Sequence, residues 1–124
     1  MVVDHIGYAV KDIQRARIEF EYLGYSFSEL IQDYDRNLYI QFGVNGSEKI
    51  ELLQTMDNNN VTEILKKNGA TPYHICYKTD NLQREIKKLE ERKFFIIKPP
   101  ARAIALQGGA HRHVGLIELV ENVT

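Results

Sequence analysis

The chain repeats itself. His5-Ile6-Gly7-Tyr8 returns as His74-Ile75-Cys76-Tyr77, an offset of 69 residues. At the same offset Ile13-Gln14-Arg15 becomes Leu82-Gln83-Arg84, Phe20 becomes Leu89, and Tyr25 becomes Phe94. Towards the ends, Ile50-Glu51-Leu52-Leu53 matches Ile117-Glu118-Leu119-Val120 at an offset of 67, so the second copy has lost two residues. Self-similarity at a fixed period marks a duplicated structural unit. The fold must therefore be two equivalent modules, about 1–56 and about 71–124, joined by a linker over about 57–70. A chain of 124 residues has the length of one compact domain, so both modules belong to a single domain, 1–124.

Each copy presents its elements in the same order. Residues 2–10 and 73–79 alternate in polarity like half-buried strands, with Ile6, Tyr8 and Val10 on one face. Asp12 and Asn81 stand where helix N-caps are needed. Ile13, Ala16, Phe20 and Leu23 then follow at helical spacing, as do Leu82, Ile86 and Leu89. Gly24 is placed to end the first helix in a left-handed conformation. Three strands are predicted after it, at about 26–33, 37–44 and 48–54, the last two joined by a turn at Asn45-Gly46-Ser47. Between the copies Asn58-Asn59-Asn60 reads as linker. Val61, Ile64 and Leu65 fit a short helix closing at Gly69, with an irregular loop as the alternative. The fold class is α+β: two tandem βαβββ modules forming a cupped mixed sheet.

Composition narrows the function. With Lys+Arg 16 against Asp+Glu 17 the net charge is −1, which offers no electrostatic footprint for nucleic acid or an anionic membrane. No apolar run reaches membrane-spanning length, and Asp4 and His5 interrupt any signal-peptide core at the N-terminus. The single cysteine, Cys76, cannot form an internal disulfide, which suits a reducing, cytoplasmic setting.

Strand alternation separates two faces. Ile6, Tyr8, Ile50, Leu52, Ile75, Tyr77, Ile117 and Leu119 are predicted to face the helices. His5, Glu51, His74 and Glu118 then share the opposite, concave face with small or apolar neighbours such as Gly7, Ala9, Leu53, Cys76 and Val120. A lone strand histidine is ordinarily a hydrogen-bonded core or surface residue, and a lone glutamate ordinarily faces water. These four differ because histidine and glutamate recur at equivalent positions in both copies. Carboxylates among apolar neighbours need a cation to compensate them. Two imidazoles and two carboxylates suit a divalent ion with open positions, nickel, zinc or cobalt before iron or manganese, better than a structural thiolate site does.

The HIGYAV and YHICY strand starts, the IELLQ and GLIELVE strand ends and the TPYHICY junction resemble the vicinal oxygen chelate (glyoxalase/bleomycin resistance/dioxygenase) superfamily over nearly the whole chain. Within it they are most similar to small bacterial glyoxalase I (lactoylglutathione lyase) and methylmalonyl-CoA epimerase. The resemblance implies a sheet cupped around a divalent metal held by His5, Glu51, His74 and Glu118, with Glu118 also serving as the catalytic base. It implies a lyase or isomerase that moves a proton next to a carbonyl through an enediolate stabilised by the metal. The glyoxalase I reading, in which the substrate is a thiol adduct of methylglyoxal, comes first, because epimerases often carry Gln at the position of Glu51. An epimerase acting on a 2-methyl-branched acyl-CoA is the alternative, and a non-catalytic antibiotic-binding protein of the same fold is a third reading. The expected partner is a small-molecule substrate, thiol adduct or acyl-CoA, and a homodimer sharing sites is left open.

One departure from the family pattern stands out. After Pro99-Pro100 only Ala101 to His113 precede the last strand, and Gly108-Gly109 interrupt them, so the third strand of module two is expected to be short. Lesser candidates read as structure or surface. His111 and His113 fit an exposed turn, and Cys76 a small buried filler. Arg36, Lys98, Arg102 and Arg112 fit solvated cations, with Arg36 the best candidate among them for an anionic substrate group. Asp33 and Asp35 lie near where epimerases place a second acid/base group.

Overall fold

The computed structural model describes residues 1–56, 65–67, 69–98, 105–111 and 113–121. It divides into two compact units, His5–Tyr73 and Met1–Asp4 with His74–Thr124. The first module runs β1 (Val2–Ala9), α1 (Ile13–Tyr22), β2 (Ser26–Phe27), β3 (Ile31–Asp33), β4 (Leu38–Asn45) and β5 (Glu48–Thr55). The second runs β6 (Thr71–Thr79), α2 (Leu82–Glu91), β7 (Phe95–Lys98), β8 (Ala105–His111) and β9 (Gly115–Glu121). In each, the first strand lies parallel to the last, with Gly7 opposite Glu51 in one and Cys76 opposite Glu118 in the other. The last strand also pairs antiparallel with the strand before it, β5 with β4 and β9 with β8. Each module is therefore a mixed sheet with a helix following its first strand, an α+β architecture.

The strand expected over 26–33 is interrupted. β2 pairs Phe27 with Gly43, whereas β3 pairs Ile31 with Ile40, so residues 28–30 on one side face only 41 and 42 on the other. One extra residue in this way is a β-bulge. The gap it leaves in the ladder is filled by Gln41, which is buried and donates from Nε2 to the Ser28 carbonyl at 2.8 Å. Gly43 is required here, since a Cβ at that position would lie 2.4 Å from the Phe27 ring. The β4–β5 hairpin turns through Gly46 at φ +61°, as a glycine at the first central position of a tight turn permits.

The helices begin and end alike. Asp12 accepts from the Arg15 N–H at 3.1 Å and Asn81 from the Arg84 N–H at 3.0 Å, the two N-caps expected. A second acceptor reaches each helix start from the last strand. Gln54 Oε1 takes the Ile13 N–H at 2.9 Å, and Glu121 Oε1 takes the Leu82 N–H at 2.8 Å. Each helix N-terminus thus meets one carboxylate and one amide, in exchanged places. At the C-terminal ends the Tyr25 N–H donates to the Phe20 carbonyl and the Phe94 N–H to the Leu89 carbonyl, both at 3.0 Å. These are the six-to-one bonds of Schellman motifs.

The cores follow the alternation. Ile50 and Leu52 pack with Ile13, Ala16, Phe20 and Tyr8, and Ile117 and Leu119 with Leu82, Ile86, Leu89 and Tyr77. Ile75 pairs with Ile117 and so shares the helix side, but at 36% exposure it lies outside the core cluster, and Leu23, the C-cap beyond α1, is 65% exposed. On the opposite face of the first module Leu38, Ile40 and Leu53 form a further apolar cluster with Phe42 and Tyr73.

β8 is one residue shorter than β4, and its register against β9 shifts between Leu106 and Gly109, where the glycine pair falls. Most of the expected linker helix lies outside the described residues. Its end is seen, with residues 65–67 helical and Gly69 at φ +70° donating to the Leu65 carbonyl at 2.9 Å. Among the described residues no helix is long and apolar enough to cross a membrane.

Candidate metal centre

Each module brings its histidine and its glutamate together. In the first, β1 supplies His5 and the adjacent β5 supplies Glu51. His5 Nε2 lies 3.5 Å from Glu51 Oε1, and the two residues are 6% and 3% exposed. In the second, β6 supplies His74 and β9 supplies Glu118, with Nε2 and Oε1 3.3 Å apart. The parallel pairing of first and last strand puts residues that are remote in sequence side by side. Alternation then sends them away from the helix, since Ile50, Leu52, Ile117 and Leu119 occupy the helix side.

The spacing fits ligation as well as ion pairing. Two donors each about 2.1 Å from one ion stand about 3.0–3.4 Å apart at octahedral to tetrahedral angles. An imidazole Nε2 facing a carboxylate oxygen is also the donor set that borderline divalent metals prefer. The pairs differ in access: the Glu51 side chain is 4% exposed and that of Glu118 is 17% exposed. Phe42, opposite Glu51 in the β4–β5 ladder, meets the His5 ring edge-to-face with centroids 5.4 Å apart. Sequence reasoning missed that contact, although the hairpin register would have supplied it.

The lesser candidates fall as follows. Cys76 forms no disulfide and is buried at 1% exposure, as a filler would be. Arg36 is not a solvated cation. Its Nε binds Asp33 Oδ2 at 2.7 Å, and both side chains are only about a fifth exposed. His113 is exposed, while Arg102, Arg112 and the side chains of Lys98 and His111 lie outside the described residues.

Bovine mitochondrial methylmalonyl-CoA epimerase is 29% identical over 112 residues, covering 88% of this chain. The chain spans only 61% of that relative's length. Methylmalonyl-CoA epimerase from Mycobacterium tuberculosis superposes with a TM-score of 0.82 at 20% identity, covering 99% of this chain and 89% of the other. A Streptomyces coelicolor methylmalonyl-CoA epimerase variant in complex with 2-nitronate-propionyl-CoA superposes with a TM-score of 0.77 at 19% identity, covering 100% and 99%. At these identities the two structures establish a shared fold. The family model for Glyoxalase/Bleomycin resistance protein/Dioxygenase superfamily matches residues 4–113, a span that takes in His5, Glu51 and His74 and both helices, and the chain belongs to that superfamily.

Proposed function

We propose that the chain is an isomerase of the epimerase type, inverting the carbon next to the thioester carbonyl of a 2-methyl-branched acyl-CoA such as methylmalonyl-CoA. The observation that carries the reading is the doubled His–Glu pair, largely buried, at equivalent positions of two modules. The likeness to bovine methylmalonyl-CoA epimerase favours the epimerase reading over other chemistries of this superfamily.

In this reading His5, Glu51, His74 and Glu118 hold one divalent ion, nickel, zinc or cobalt. Such an ion supplies Lewis-acid stabilisation of the negative charge that grows on the carbonyl oxygen as the neighbouring proton leaves. Glu118 removes that proton. Its carboxylate is the more accessible of the two, and a base must bring an oxygen to the substrate carbon. Return of a proton to the opposite face, from solvent or a second acid, completes the inversion. The apolar cluster of Leu38, Ile40 and Leu53 on the ligand face of the first module keeps water from the Glu51 side.

The test is incubation of the metal-loaded protein with methylmalonyl-CoA in deuterium oxide. Uptake of one deuterium at C2 is expected, with bound metal lost in His5→Ala and His74→Ala. Glu51 favours a second reading, glyoxalase I, because the resemblance implies Glu there for glyoxalases and often Gln for epimerases. Turnover of the methylglyoxal–glutathione adduct without deuterium uptake by the acyl-CoA would move the assignment there. Neither activity would favour a binding protein.

A further inference from the structure

Lys49 opens the ligand face of β5. It precedes Glu51 by two residues, so both side chains leave the same side of the strand, about 7 Å apart at their bases. It stands one residue before Ile50, and His5 one residue before Ile6, the pair that opens the β1–β5 ladder. Its Nζ lies over the Phe42 ring, 5.1 Å from the centroid, and that same ring meets His5 edge-to-face. The Phe42 ring is thus shared by the Lys49 ammonium and the His5 imidazole, within a single module. At the other end of the same face stand Leu53 and Ile40, both 2% exposed. The ligand face of β5 therefore runs from a cation, through a carboxylate, to an apolar cluster.

We infer that Lys49 is a specificity residue that grips an anionic group of the substrate, so that the reacting carbon comes to rest beside the His–Glu pair. This rests on the proposed function and adds a substrate requirement to it: one end must carry negative oxygen, and the part beyond the reacting carbon must be apolar. A carboxylate on the acyl group and a phosphate of the thiol carrier both have that chemistry. An ammonium is a compact point charge that serves either one.

The bland alternative is that the lysine stem merely covers Phe42. Lys49→Met keeps that apolar cover and removes the charge, while Lys49→Arg keeps the charge. The experiment is calorimetric titration of the metal-loaded chain and both variants with three ligands: methylmalonyl-CoA, methylmalonyl-pantetheine (no carrier phosphates) and propionyl-CoA (no acyl carboxylate). A charge-assisted contact is worth about 1.5–3 kcal/mol, so Lys49→Met is expected to bind methylmalonyl-CoA roughly 10–100-fold more weakly, with Lys49→Arg restoring most of the loss. Loss on the pantetheine ester but not on propionyl-CoA identifies the acyl carboxylate, and the reverse identifies the carrier phosphate. Equal binding by Lys49→Met and the unaltered protein, no rescue by Lys49→Arg, or an unaltered protein that binds none of the three overturns the inference. Deuterium uptake measured on the same samples reports on the isomerase reading separately, because binding and its dependence on Lys49 are read without turnover.

Discussion

Helices α1 and α2 close with the same hydrogen bonds around different residues. After α1 the left-handed position is Gly24 at φ +110°, and after α2 it is Lys93 at φ +69°. The His–Glu pairs show the same pattern, with nearly equal spacing, 3.5 Å and 3.3 Å, but unequal access to solvent. Backbone geometry has thus been kept in both modules while the side chains that serve it have diverged. Where a side chain departs from its counterpart, the duplicated partner shows what the position requires.

The largest effect expected from breaking this equivalence is catalytic. Glu118→Gln keeps the shape and an oxygen donor but removes the proposed base, and turnover should fall by roughly 10²–10⁴-fold. Glu51→Gln should be much milder. Deuterium exchange normalised to bound metal measures both, and the opposite ranking would reverse the two roles. Next come the cores. Leu52 and Leu119 occupy equivalent places at 0% and 1% exposure, so each change to Ala should cost about 2–5 kcal/mol in chemical denaturation. A marked inequality would show that one module collapses around the cavity better than the other. The smallest effect lies at the helix ends. Lys93→Gly should stabilise the protein by about 1 kcal/mol, because a left-handed conformation is strained for any side chain. Gly24→Ala should destabilise it by a similar amount, the added Cβ also lying 3.1 Å from the Asn45 amide. Melting temperatures that move the same way for both would break the equivalence of the two motifs.

What could be read in the sequence was what depends on neighbours along the chain. Asp12, Asn81 and Gly24 declare themselves through local turn chemistry, and the two faces of β5 and β9 through alternation. The histidines and glutamates were readable because duplication supplied a second copy of each. Lys93 was hidden, since the rule that finds Gly24 looks for glycine. The bulge at residues 28–30 was hidden as well, because it exists only in the mismatch between two pairing registers. Phe42 against His5, and Gln54 and Glu121 on the helix starts, arise from tertiary placement across 37, 41 and 39 residues of chain. Lys49 was passed over because it looks like an ordinary hairpin lysine until the Phe42 ring is seen beneath it.

The exchanged caps have a consequence for how substitutions in this chain combine. At α1 the negative charge sits on Asp12 and the amide on Gln54. At α2 the amide is Asn81 and the charge is Glu121. A helix N-terminus gains from a nearby negative charge, typically by about 0.3–1 kcal/mol. A second carboxylate beside the first would also repel it. Asp12→Asn alone leaves the α1 cap with no charge, and Gln54→Glu alone leaves it with two, whereas the double substitution reproduces the cap acceptors of α2, whose first turn also carries Glu85. The two positions are therefore expected to be epistatic: whether a change at one is harmful or silent depends on what the other already carries.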